Sequence, residues 1–175
     1  PCRRLLPGVR LGGALAAMLL TLPLSAAPLA IGLLDAAGKP VEDAVVSLVA
    51  LDSPALPPAA ISPGSHVEIS QQGQEFSPYV TAVAVGTAVM FPNNDTLQHH
   101  VYSLSKPKRF EFARYAPGTK ESIVFDQPGV VILGCNIHDW MVAYLMVLPT
   151  PTFAKSDATG RVTLEAPAGR YRLEV

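Results

Sequence analysis

The chain has few thiols, little charge and no helical periodicity, and each shortage narrows what it can be. Only two cysteines, Cys2 and Cys135, occur in 175 residues. Charged residues make up 15% against 49% hydrophobic, too apolar a balance for a disordered polypeptide. No stretch repeats its apolar residues at the period of an amphipathic helix. Beyond residue 27 no apolar run approaches the roughly 20 residues that a membrane-spanning helix needs. What abounds is punctuation: 17 prolines and 13 glycines stand between short apolar runs, which predicts many strands and turns. The length allows one domain, or a small domain and part of a second.

Residues 1–27 have the pattern of a secretory signal. Arg3, Arg4 and Arg10 form a basic start, residues 11–24 are rich in Leu and Ala, and Ser25-Ala26-Ala27 offers small residues for cleavage. Gly12, Gly13 and Pro23 leave this stretch short for a membrane anchor. Export to the periplasm is therefore expected, with no membrane span after cleavage. The start at Pro1 points to a longer natural N-terminus. Losing the three arginines leaves ten basic against fourteen acidic residues, a mature net charge of −4. That argues against a nucleic-acid partner. Cleavage also removes Cys2, so Cys135 is the one mature thiol, and an odd thiol in an oxidising compartment is a liability or a ligand.

Apolar runs bounded by Gly and Pro predict strands at 29–34, 44–51, 66–71, 79–85, 87–91 and 97–104. Others are expected at 110–115, 121–125, 130–135 and 142–148, and two more after residue 155. Turns at this spacing imply an all-β antiparallel sandwich. Residues 52–64 carry Pro54, Pro57, Pro58 and Pro63 and read as a linker. The expected organisation is a signal peptide at 1–27, an N-terminal β segment and linker at 28–64, a main β domain at 65–149, and a C-terminal β segment at 150–175. Asp35-Ala36-Ala37-Gly38-Lys39-Pro40 and the closing Pro167-Ala168-Gly169-Arg170-Tyr171 resemble the edges of transthyretin-like regulatory domains attached to some carboxypeptidases. On that resemblance the last segment is either truncated or pairs with residues 28–52.

The chemistry concentrates in Cys135-Asn136-Ile137-His138-Asp139-Trp140-Met141, between two buried strands. A thiolate, two imidazoles and a weak axial thioether make a type 1 copper site, and soft and borderline donors together suit both oxidation states. Zinc fits less well, because a thioether is a poor zinc ligand. The loop supplies Cys135, His138 and Met141, and the second imidazole has to come from His66, His99 or His100. Strand alternation leaves the choice open, since His99 shares a face with Leu97 and Val101, and His100 with Tyr102 and Leu104. Taken singly, Met141 reads as core, Trp140 as packing or a cover over the site, and His66 as a surface residue. Asp139 is a loop carboxylate, and Lys106, Lys108, Arg109 and Arg114 read as a solvated basic face.

The segments Phe91-Pro92-Asn93…His99-His100-Val101 and Cys135-x-x-His138-x-x-Met141 together resemble the cupredoxins, small blue-copper proteins. The resemblance spans residues 74–148, and the loop spacing is similar to that of amicyanin. It implies a Greek-key β-sandwich or barrel and one copper ion held by His99, Cys135, His138 and Met141. It puts His100 where most cupredoxins carry an Asn that ties the ligand loops together, so His100 is either a tie or an alternative ligand. Gly134-Cys135-Asn136-Ile137-His138-Asp139-Trp140-Met141 further resembles the exported methylamine-utilisation proteins. The function implied is single-electron transport, without catalysis, between redox partners such as a c-type cytochrome or a periplasmic oxidoreductase. A copper-trafficking protein and a β-sandwich adhesion or assembly module are the alternatives.

Overall fold

The computed structural model describes residues 27–52 and 66–175, so all but the last residue of the expected signal peptide and nearly all of the expected linker lie outside the described residues. In chain order the strands are β1 (Ala27–Gly32), β2 (Val45–Ala50), β3 (Val67–Glu68), β4 (Ser70–Gln72) and β5 (Glu75–Ser77). They continue with β6 (Val80–Ala84), β7 (Thr87–Pro92), β8 (His99–Ser103), β9 (Phe110–Tyr115) and β10 (Lys120–Phe125). The last are β11 (Gly129–Gly134), β12 (Val142–Leu148), β13 (Phe153–Lys155), β14 (Arg161–Ala166) and β15 (Tyr171–Glu174). Among the described residues there is no helix, and the chain is the all-β sandwich its turn spacing predicts, though not wholly antiparallel: β6 runs parallel to β12 and β3 parallel to β7.

One sheet has the order β6-β12-β11-β8-β9 and the facing one β10-β7-β3. Their inner faces meet in a core that includes Val89, Phe91, Val101, Phe125, Leu133 and Leu145. The alternation explains the division. In β11, Val131 and Leu133 are buried while Val130 and Ile132 are about half exposed. The same period of two carries Cys135, the next residue of that face, into the core. β12 answers with Ala143, Leu145 and Val147, and Val131 and Leu133 lie opposite Leu145 and Ala143 in the register. Each fully buried side chain of this size contributes about 1.5–3 kcal/mol.

Two strands differ from the sequence expectation for a local reason. The single strand expected at 66–71 is split into β3, parallel to β7, and β4, which turns back through Gly73-Gln74 into β5. Both turn residues have positive φ, 62° and 60°, the backbone of a type I′ hairpin. Gly-Gln is an uncommon pair for that turn, so the pattern does not announce it. β8 starts later than residue 97 because Leu97 is held in a loop, its carbonyl accepting from Asn93 Nδ2 at 2.8 Å.

The two ends of the described chain pack against each other. β1 pairs antiparallel with β14, and β2 lies between β13 and β15. Val46, Leu48, Val162 and Leu164 form their own small core there. Gly160 lets this unit close: at φ 74° it lies where a Cβ would stand 2.3 Å from the Leu33 carbonyl oxygen.

Candidate metal centre

β8 supplies one donor and the β11–β12 loop the others. His99, Cys135 and His138 each offer a ligand atom, and these atoms lie within 4.8 Å of one another. His99 is fully buried and Cys135 nearly so, while His138 is half-buried and borders solvent. The His99 and His138 rings are 5.1 Å apart, and Cys135 Sγ lies 3.9 Å from His138 Nδ1. Met141 is buried in the same core cluster as Cys135. Its N–H donates to the His138 carbonyl at 3.0 Å, closing the turn that brings the loop back into β12.

The loop's shape follows from its flanks. β11 and β12 are paired up to Gly134 and Val142, so the seven residues between them must fold back within one strand spacing. Gly134 pairs with Tyr102 of β8, and a Cβ there would stand 2.9 Å from the Tyr102 ring. The missing side chain lets β8 and β11 pass closely just before Cys135.

His99 is oriented from behind. Its Nε2 donates to Asp95 Oδ2 at 3.0 Å, while its Nδ1 is buried without a hydrogen-bond partner. A hydrogen bond at one ring nitrogen fixes the tautomer and frees the other nitrogen as a donor to a metal. The backbone N–H of Gln74, then the His99 ring, then the Thr96 N–H, hold the Asp95 carboxyl down to about 2. It is therefore an anion at neutral pH. Behind this lies a polar patch in the core. Tyr115 donates to the Phe91 carbonyl at 2.9 Å and accepts from Gln71 Nε2, and burial raises its phenol to about 12.

His100 points elsewhere. Its Nε2 is 2.8 Å from Glu111 Oε1 on β9, and its ring packs on Tyr102. It does not join the donor cluster, and it makes no bond to the ligand loop. His66 pairs with Glu68 at the surface. Trp140 is 65% exposed, so it flanks the centre rather than sealing it. Its ring stands 5.3 Å from His138, and its Nε1 donates to the Gln74 carbonyl at 3.2 Å. The basic face is partly spent on surface pairing, Lys108 meeting Asp126 at 2.9 Å.

A buried nitrogen without a partner, beside a thiolate-capable sulfur and a second imidazole, is the donor set of a metal site. Soft sulfur with imidazole fits copper.

No family model matches the chain, and no curated protein does. Among solved structures it is similar to a purple cupredoxin from Nitrosopumilus maritimus, at 24% identity, over 47% of this chain and 99% of that one, with a TM-score of 0.43. It is similar to the copper-containing nitrite reductase NirK from Thermus scotoductus SA-01, at 27% identity over 58% of this chain, with a TM-score of 0.46. That match takes in only 25% of the reductase. A reduced Cu(I) amicyanin variant at pH 4 is similar at 16% identity, over 59% of this chain and 98% of that one, with a TM-score of 0.46.

Asp95 and Gln74 are the site residues that sequence reasoning misses. Asp95 stands in the Pro92-Asn93-Asn94-Asp95 turn, where a carboxylate reads as turn chemistry. Gln74 acts through its backbone, and nothing in its side chain signals that.

Proposed function

We propose that this chain is an exported type 1 copper protein that carries single electrons between redox partners. The observation that carries the reading is the convergence of His99, Cys135 and His138 with the His99 Nδ1 buried and unpaired. Met141, buried in the same core cluster as Cys135, would add its thioether to the donor set as a weak ligand. Copper in such a donor set alternates between Cu(I) and Cu(II).

The residues here favour transfer over reaction. His99, Cys135 and Met141 are buried, which limits water at the centre and keeps the donors in one arrangement. Half-buried His138 borders solvent, with Trp140 and Ile137 exposed around it, and forms the route outward. On this reading the protein is a carrier and not an enzyme. The partner is a redox protein such as a c-type cytochrome or a periplasmic oxidoreductase, and the signal-like residues 1–27 support a periplasmic location.

The optical spectrum of protein loaded with Cu(II) tests this. An intense visible thiolate-to-copper band and reversible one-electron voltammetry are expected. A colourless copper complex overturns type 1 ligation. Tight Cu(I) binding without reversible voltammetry would make the chain a trafficking protein instead.

A further inference from the structure

The tip of the β4–β5 hairpin reaches both halves of the metal centre at once. The Gln74 N–H donates to Asp95 Oδ2 at 2.7 Å, and that same oxygen accepts from His99 Nε2. The Gln74 carbonyl accepts from Trp140 Nε1, and Trp140 packs beside His138. One residue is thus joined, through one intermediary on each side, to the upstream donor and to the loop. The left-handed backbone of Gln74, φ 60°, is part of the turn that sets these two groups in place. His100, the expected tie between the ligand segments, is engaged with Glu111.

We propose that this hairpin tip is a positioning clip: Gln74 couples His99, through Asp95, to the Cys135–Met141 loop, through Trp140. The spacing of the donors is then set by a third segment of the chain. Asp95 holds the His99 tautomer that leaves Nδ1 free, and Trp140 restrains the loop beside His138. The consequence for copper rests on the proposed function, but the clip belongs to the polypeptide and operates without metal.

Three variants test it on the full chain: Asp95→Ala, Trp140→Phe, which keeps a ring but loses the N–H, and the double variant. In the metal-free protein, Asp95→Ala is expected to speed hydrogen exchange at the Gln74 amide roughly ten-fold. It should also increase quenching of Trp140 fluorescence and shift the His99 ring-nitrogen resonances toward a mixture of tautomers. In competition titrations with Cu(II), each single variant should lose roughly ten-fold or more in affinity. The double variant should lose less than the product of the two, because either change opens the same clip. Unchanged Trp140 quenching in Asp95→Ala, or strictly multiplicative affinity losses, overturns the clip. If the wild type fails to bind copper, the proposed function falls, and exchange, quenching and the His99 resonances still decide the clip. Trp140→Phe changes an exposed side chain, so its result does not hinge on folding.

Discussion

Asp95 Oδ2 lies 3.0 Å from His99 Nε2, and the opposite nitrogen of that ring is buried with no partner. His100, one residue on, is paired through Nε2 with a surface carboxylate, Glu111; its Nδ1 is also buried without a partner, but it lies outside the cluster of His99, Cys135 and His138. The two histidines are neighbours in sequence and occupy opposite faces of β8. Only one of them faces the thiol.

His99→Ala should therefore abolish the visible thiolate–copper band, while His100→Ala should preserve it. Losing the His100–Glu111 bond, whose carboxylate is largely exposed, should cost about 1 kcal/mol. Absorption spectra of the two copper-loaded variants, with denaturant melts of the metal-free forms, check both halves.

Gly134 and Tyr102 make a steric prediction. A methyl at Gly134 would meet the Tyr102 ring at 2.9 Å, immediately before Cys135. Gly134→Ala is expected to destabilise the protein by about 1–3 kcal/mol. Tyr102→Leu in the same chain should restore most of that loss. Urea denaturation of the single and double variants measures it.

Gln74 separates backbone from side chain. At φ 60° a glycine is at ease and a β-branched residue is strained. Gln74→Val should cost about 1–2 kcal/mol, and Gln74→Gly should stay within about 0.5 kcal/mol of wild type. Thermal melts distinguish these outcomes, and equal losses would show that the side chain matters instead.

Gly160 tests the small core formed by the chain ends. Its φ of 74° and the Leu33 oxygen 2.3 Å from a would-be Cβ leave no room for a side chain. Gly160→Ala should raise hydrogen exchange in β1 and β14 while β8, β11 and the metal centre keep their protection. Uniform loss across both cores would show that they unfold as one unit.

Asp157 gives this same region an acid dependence. The Thr159 hydroxyl, then the backbone N–H groups of Arg161 and Thr159, lower its carboxyl below the ordinary value. A group depressed in the folded state stabilises above its unfolded pKa, and that contribution is lost as pH falls below about 4. Asp157→Asn should flatten the acid limb of the stability curve, which denaturation midpoints at pH 7 and pH 3 will show.

How much of this was readable in advance varies by element. β9 and β12 stand where the sequence puts them: β12 is a continuous apolar run with few alternatives to burial, and β9 alternates Phe110 and Phe112 with the charged Glu111. β5 and β13 carry too little pattern to be seen: three residues each, fixed by partners rather than composition. The hairpin at Gly73-Gln74 escaped because a glutamine at positive φ is tolerated only where surrounding contacts impose it.

The sequence by itself determined the all-β class and the loop that groups Cys135, His138 and Met141, since these are local properties of composition and spacing. The tertiary structure alone brought His99, and not His100, into one cluster with Cys135 and His138, because strand alternation names two faces without saying which is inside. It also placed Asp95 and Gln74 behind the centre. Their roles depend on a backbone N–H, a carbonyl and one carboxylate oxygen meeting across three segments, and that meeting exists only once the sheets have packed.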